Sequence, residues 1–122
     1  MNWIAVFIGG GLGSLARFSI SLLLLKFSKS NLPIATFLAN ILACLILVLA
    51  LNYFSNHSDV PKWLKPLLVI GFCGGFSTFS TFSLETFQLL KNGALFWALA
   101  NVLVSLIACV GIIYMFYKSP AI

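Results

Sequence analysis

The sequence predicts an all-α membrane protein in which four transmembrane helices form a single domain over residues 1–122. Hydrophobic residues make up 61% of the chain and charged residues only 7%, whereas soluble domains carry about 25% charged residues. The apolar residues fall into four runs, each long enough to cross a ~30 Å hydrocarbon core at ~1.5 Å per residue. Glycine and hydroxyl residues interrupt the third run, so we expect its helix to break in mid-membrane.

Short polar segments separate the four spans, which we expect at about residues 3–25, 34–54, 63–90 and 94–117. The first span holds an unusual residue, Arg17, well inside its far end. An arginine at this depth either snorkels to the membrane surface or marks a pathway for an anion. The sequence leaves both interpretations open.

The third span contains the stretch GFCGGFSTFSTFSLE, which begins at Gly71 and ends at Glu85. Its glycines disfavour a regular helix by roughly 1 kcal/mol each relative to alanine. Hydroxyl side chains, which compete for backbone hydrogen bonds, then follow at Ser77, Thr78, Ser80, Thr81, Ser83 and Thr86. Irregular backbone at membrane depth is tolerated only against protein or beside a wet cavity, so we expect a site next to this stretch.

The net charge of +5 arises from basic residues scattered at the ends of the spans, which does not make a nucleic-acid-binding patch. One side of the four spans carries Lys62, Lys65 and Lys118, and the other carries Lys26, Lys29 and Lys91. The positive-inside rule therefore finds almost no asymmetry. Such a chain can insert in both orientations and pair as an antiparallel dimer, whose partner would shield polar residues that four helices cannot bury.

The three cysteines, Cys44, Cys73 and Cys109, lie in apolar runs without CxxC spacing. We interpret them as small apolar fillers rather than as a disulfide or a metal site. The sequence offers no nucleophile–base pair, metal cluster or phosphate-binding loop, so an enzyme is not expected.

Hydrogen-bond donors without acidic partners are the chemistry that remains in the spans. They are Arg17, Asn40, Ser80, Thr81, Asn101 and Ser105. A small anion only accepts hydrogen bonds, so this set of donors suits an anion. Asn101, Ser105 and Cys109 follow at steps of four, which places them on one face of the fourth helix as a thin polar track.

Four phenylalanines of the third span support the same interpretation. Phe72, Phe76, Phe79 and Phe82 are spaced by four, three and three residues, which would align them on one face of a continuous helix. The positive edges of aromatic rings can face an anion, although the same row also suits simple packing. A helix break would in addition expose carbonyl oxygens, which coordinate hard cations.

These motifs resemble those of the Fluc (CrcB-type) fluoride channels. GFCGGFSTFSTFSLE is similar to the third-span signature of that family, GGGLGSLARF to its first-span motif, and TFLAN, which ends at Asn40, to its second-span motif. The resemblance covers all four spans. It implies an antiparallel, dual-topology homodimer in the cell membrane of a microbe, with two fluoride pores, one structural Na⁺ at the dimer interface and a role in fluoride resistance.

The resemblance also implies roles for single residues. It assigns Asn40, Phe79, Phe82 and the hydroxyl of Thr81 to the pore, with Ser105 and Cys109 on the polar track of the fourth span. Arg17 matches a vestibule arginine, and the backbone carbonyls of Gly74 and Ser77 match the sodium ligands. Together with the donors found above, the predicted fluoride-pore residues are Asn40, Phe79, Ser80, Thr81, Phe82, Asn101, Ser105 and Cys109.

Some residues depart from the family pattern. Cys109 replaces a usual serine, Ser77 replaces a common threonine, and Asn101 stands where some relatives have an aromatic hydroxyl residue. Because the sodium ligands are carbonyl groups, Ser77 should not abolish the cation site. Cys109 weakens the outer end of the polar track.

Two other classes of protein are alternatives to a passive fluoride channel. A small dual-topology, proton-coupled exporter needs a membrane carboxylate, ideally in the first span, whereas here that span holds Arg17 and the only membrane carboxylate is Glu85. A non-transporting assembly subunit would use the glycines and phenylalanines for helix packing alone. The composition does not exclude that second alternative.

Overall fold

The computed structural model describes residues 2–29 and 32–118, and every regular element in these ranges is helical. Helix α1 spans Asn2–Phe27 and α2 spans Ile34–Asn56. The third span begins as a π-helix, continues directly into a short α-helical turn and ends with a longer α-helix. One further helix forms the fourth span. These elements are the π-helix Pro66–Cys73, α3 (Gly74–Phe76), α4 (Phe79–Lys91) and α5 (Leu95–Phe116).

Four segments of the described chain are long and apolar enough to cross a membrane, the third of them extending from Pro66 to Lys91. Large apolar side chains are exposed along their outer surfaces, for example Phe7 on α1 and Ile107 on α5. A surface of this kind is suited to lipid rather than to water. The prediction of an all-helical protein with four membrane-spanning helices is therefore confirmed.

Helix α1 packs closely against the π-helix and α3 along a row of glycines. A methyl group added at Gly9 would overlap the carbonyl oxygen of Leu67, and one added at Gly13 would overlap that of Phe72. On another face of the same helix, Gly11 has no atom of a neighbouring element within 4 Å. Since small residues let two helix backbones approach each other, the glycine motif of the first span forms a packing seam.

A small core lies between α1, α2 and α3. Phe76 is 4% exposed and packs with Ala39 and Ala43, which are 0% and 3% exposed. The small alanine side chains of α2 leave room for the phenylalanine ring, and Ile20 and Ile46 border the cluster. This contact holds the end of α3 against the middle of α2, beside Asn40.

One side chain joins the C-terminal ends of α2 and α5. Asn52 donates from Nδ2 to the carbonyl oxygen of Phe116 at 2.7 Å, and its Oδ1 accepts from the backbone N–H of Lys118 at 3.0 Å. A single amide thus satisfies both a carbonyl and an N–H group where α5 ends. It fixes the separation of α2 and α5, the two helices that border the candidate site.

Candidate functional site

Two residues with extended backbone, Ser77 and Thr78, connect α3 to α4, and we call them the extended link. Their φ and ψ angles are −74° and 156° for Ser77 and −151° and 117° for Thr78. The backbone N–H and the hydroxyl of Ser77 both donate to the carbonyl oxygen of Cys73, at 3.0 and 2.8 Å. The end of the preceding helix is therefore closed by the link itself.

Asn40 of α2 supports the link from the side. Its Oδ1 accepts a hydrogen bond of 2.8 Å from the backbone N–H of Thr78. In a continuous helix this N–H would donate to the carbonyl oxygen of Gly74, four residues earlier. Because Oδ1 is occupied by a backbone donor, the NH₂ group is the part of the Asn40 amide that can bind an anion.

Thr78 also caps the start of α4. Its Oγ1 accepts from the backbone N–H of Thr81 at 3.3 Å and lies 3.2 Å from the Thr81 hydroxyl and 3.4 Å from that of Ser80. The hydroxyl residues of the third span are therefore used in part for capping, which satisfies an otherwise unpaired N–H group. Ser80 and Thr81, two of the predicted pore residues, belong to this network.

We expect a Thr78→Val substitution to lower the free energy of unfolding by about 1 kcal/mol, the usual cost of losing a side-chain cap. Valine has nearly the same shape and keeps the N–H that Asn40 accepts, so only the hydroxyl is removed. Thermal unfolding in detergent, followed by circular dichroism, measures the change, and Thr78→Ser is the matched control because it keeps the hydroxyl. Equal unfolding temperatures for Thr78→Val and the wild type would show that the cap does not stabilise α4.

A groove of about 210 Å³ lies between α2, the extended link, the first turn of α4, and α5. We call it the Asn40 groove, and it is lined by Asn40, Cys44, Ser77, Thr78, Phe79, Phe82, Ser105, Leu106 and Cys109. Mostly apolar walls with a few polar groups are typical of sites that bind small ligands. The structure thus brings together five of the predicted pore residues, namely Asn40, Phe79, Phe82, Ser105 and Cys109.

Ser105 contributes an unpaired hydroxyl group to this groove. The residue is 6% exposed, and its Oγ has no hydrogen-bond partner among the described residues. Buried hydroxyl groups are normally paired, so an unpaired one calls for an explanation. A small anion in the groove would accept a hydrogen bond from it.

The phenylalanines form two pairs rather than one row. Phe72 and Phe76 lie before the extended link with ring centroids 5.5 Å apart, and Phe79 and Phe82 lie after it at 5.8 Å. The single row expected for a continuous helix does not form, because two extended residues interrupt the helical spacing between the pairs. Phe76 belongs to the core, so only the second pair borders the Asn40 groove.

Asn101 does not line the Asn40 groove. Its Nδ2 donates to the hydroxyl of Thr86 at 2.9 Å, and this hydroxyl donates to the carbonyl oxygen of Phe82 at 2.8 Å. Asn101 instead lines a neighbouring groove of about 210 Å³ together with Trp97, and Ser105 borders both grooves. The predicted polar track of the fourth span is therefore shared between two adjacent cavities.

Arg17, the predicted vestibule residue, lies at the end of α3. Its Nε donates to the carbonyl oxygen of Gly75 at 3.3 Å, and the hydroxyl of Ser14 reaches the same oxygen at 3.5 Å. A cation is favourable near the carboxyl end of a helix, where carbonyl groups lack their usual donors. Half-buried Arg17 is thus bound to the main chain just before the extended link.

The carboxylate of Glu85 makes a polar contact between spans that the sequence did not predict. The hydroxyl of Thr36 donates to Oε1 of Glu85 at 2.8 Å, whereas the buried Oε2 has no hydrogen-bond partner among residues 2–29 and 32–118. Glu85 also lines a separate cavity of about 570 Å³ with Gln88 and Lys91. The signal in the sequence was the lone carboxylate in an apolar run, since ionisable residues inside membranes are rare and usually functional.

The fold and the site define a small multi-pass membrane protein with a mostly apolar groove that holds a few polar groups, beside an extended link in its third span. The chain belongs to the family described as "CrcB-like protein, Camphor Resistance (CrcB)", whose model matches residues 4–117. The family predicted from the sequence motifs is thereby confirmed.

Curated relatives carry the name of one activity. The chain is 48% identical over 105 residues to the "Fluoride-specific ion channel FluC" of Serratia proteamaculans, covering 84% of this chain and 80% of that protein. It is 44% identical over 103 residues to the "Fluoride-specific ion channel FluC 1" of Yersinia pestis, with the same coverage of 84% and 80%. For the protein of that name in Salmonella arizonae the identity is 42% over 106 residues, covering 85% and 81%.

Proposed function

We propose that this protein is a passive, fluoride-selective ion channel that lets fluoride leave a microbial cell across its cell membrane and so confers fluoride resistance. The observation that carries the proposal is the Asn40 groove, in which an amide, an unpaired serine hydroxyl and two aromatic rings converge. The names of its relatives support fluoride as the ion.

The groove provides the interactions that a dehydrated fluoride ion needs. The NH₂ group of Asn40 and the hydroxyl of Ser105 donate hydrogen bonds, and the rings of Phe79 and Phe82 offer their positive edges. Such groups replace part of the hydration shell that the ion loses when it enters a narrow pore. Larger anions such as chloride accept weaker hydrogen bonds and are held back by the width of the groove.

The proposed path passes the third span where its helix is broken in mid-membrane. Ser77 and Thr78 lie near the middle of the segment from Pro66 to Lys91, so the extended link falls at membrane depth if that segment spans the bilayer. Main-chain groups without helical partners are tolerated at that depth only beside protein or a wet cavity. Asn40 supplies the protein contact for this backbone, and the groove lies beside it.

The complete channel is proposed to be an antiparallel homodimer with two pores. The balanced lysines on the two sides of the spans support insertion in both orientations. The exposed ring of Phe79, which is 79% accessible, supports a partner subunit that completes the wall of the groove. A partner is also the natural cover for polar groups that face the outside of a four-helix unit.

A structural Na⁺ is proposed at the dimer interface, with the carbonyl oxygens of Gly74 and Ser77 as ligands. The residues fit such an ion, because the Thr78 N–H that would serve the Gly74 carbonyl in a helix binds Asn40 instead. Gly74 is also exposed, with no neighbouring atom within 4 Å of an added Cβ. A bound Na⁺ would neutralise the partial charges of carbonyl groups at the end of α3 in both subunits.

We expect a Phe82→Ile substitution to reduce fluoride efflux from liposomes by about tenfold or more, which corresponds to ~1.4 kcal/mol of barrier. Isoleucine preserves the apolar bulk but removes the ring edge that faces the ion. The matched control is Phe87→Ile on the same helix, since Phe87 is 59% exposed and outside the set of groove-lining residues. Equal efflux for Phe82→Ile and the wild type would exclude the Phe82 ring from the path.

A further inference from the structure

Two of the three cysteines share the Asn40 groove. Cys44 of α2 and Cys109 of α5 both line it, and these two helices pack against each other. Both residues are partly exposed, whereas Cys73 of the π-helix is 5% exposed. Two of the three cysteines interpreted as apolar fillers thus lie at the wall of a cavity.

The chemistry of this pair differs from that of the rest of the groove. Its other polar groups are hydroxyls and an amide, which prefer hard partners, whereas thiolates select soft metal ions. Two sulfur ligands on facing helices suit an ion that accepts two-coordinate binding. Among residues 2–29 and 32–118, no three His, Cys, Asp or Glu side chains come together as a metal site, which argues against the four-ligand sites typical of structural zinc.

We propose that Cys44 and Cys109 form a two-coordinate site for a soft metal ion such as Hg²⁺, and that its occupation closes the groove. The metal would form two S–Hg bonds and bridge α2 to α5. Both S–H bonds break and two protons pass to water, so no oxidation or reduction takes place. The second claim, that bound metal closes the groove, is the closure half of the proposal and rests on the proposed function. The first claim, that the two cysteines bind the metal, is the binding half and does not rest on it.

Intact-mass spectrometry of the purified protein after mercuric chloride treatment tests the binding half. For the wild type and Cys73→Ala we expect each chain to carry one mercury atom in place of two protons. We expect this mercury to stay bound when a monothiol is added as a competitor. Cys44→Ala and Cys109→Ala should each lose this bridged species and keep only mercury adducts that a monothiol removes. If Cys109→Ala does not fold, Cys109→Ser takes its place. The site would be overturned if mercury on the wild type were bound to only one thiol, so that a monothiol removed it. Loss of the bridged species in Cys73→Ala would overturn it as well.

Fluoride efflux from liposomes, with each protein compared with and without mercuric chloride, tests the closure half. The wild type and Cys73→Ala should lose most of their efflux and regain it after treatment with a dithiol, which competes for both Hg–S bonds. Undiminished efflux from protein whose mass shows the bridged metal would overturn closure. A wild type that releases no fluoride before mercury is added would instead contradict the proposed function, and the mass measurement would still decide the metal site.

Discussion

A Gly13→Leu substitution should separate α1 from the third span and prevent the protein from reaching its folded state. A methyl group at this position already overlaps the carbonyl oxygen of Phe72 and lies 2.8 Å from the backbone nitrogen of Phe76. Overpacking of a side chain costs roughly 1–3 kcal/mol even where neighbouring side chains can adjust. Here the neighbours are backbone atoms, so the helices must move apart.

The matched control is Gly11→Leu, two residues earlier on the same helix, where no neighbouring atom lies within 4 Å of an added Cβ. Both variants change helix propensity by the same amount, so the comparison isolates the contact between α1 and the third span. Size-exclusion chromatography in detergent and thermal unfolding provide the measurements. A Gly13→Leu protein that elutes and unfolds like Gly11→Leu would contradict the packing seam.

An Asn40→Asp substitution should reduce fluoride efflux by about 100-fold or more, equivalent to ~2.7 kcal/mol of barrier. Aspartate keeps an oxygen that can accept from the Thr78 N–H, so the extended link retains its support. The substitution replaces the NH₂ donor with an acceptor that carries negative charge when ionised, next to the path of an anion. If efflux falls while thermal unfolding is unchanged, the substitution therefore acts on the passage of the ion and not on the stability of the fold.

Asn56→Asp is the matched control for this change, because Asn56 lies on the same helix, is exposed and is outside the set of residues that line the Asn40 groove. We expect its efflux to stay within about twofold of the wild type, since rates that differ by only twofold reflect less than ~0.5 kcal/mol. Unchanged efflux in Asn40→Asp would remove Asn40 from the pore. Equal losses in both variants would point to a general effect of an added carboxylate.

Hydropathy and residue chemistry were enough to predict the four helices and the donors of the groove. A run of apolar residues of sufficient length has few alternatives to a membrane helix. Asn40 and Ser105 stood out because polar side chains are costly in such runs. The structure brings these two residues to one groove, together with Phe79 and Phe82.

Contacts between distant segments could not be predicted, because helical periodicity gives the face of a residue but not its partner on another helix. Thr36 and Glu85 are 49 positions apart, and Asn52 and Phe116 are 64 apart. The two pairs of phenylalanines depend in addition on the two extended residues of the link, which single-helix spacing does not include. The position of Cys44 and Cys109 in one groove could not be predicted for the same reason.

Fluoride efflux from liposomes that contain the purified protein tests the central claim most directly. A fluoride electrode records the release, chloride release is measured in parallel, and Na⁺ is present throughout. We expect rapid release of fluoride without release of chloride. A folded protein that releases neither ion would contradict the channel and favour an assembly subunit in which the glycines and phenylalanines serve only helix packing.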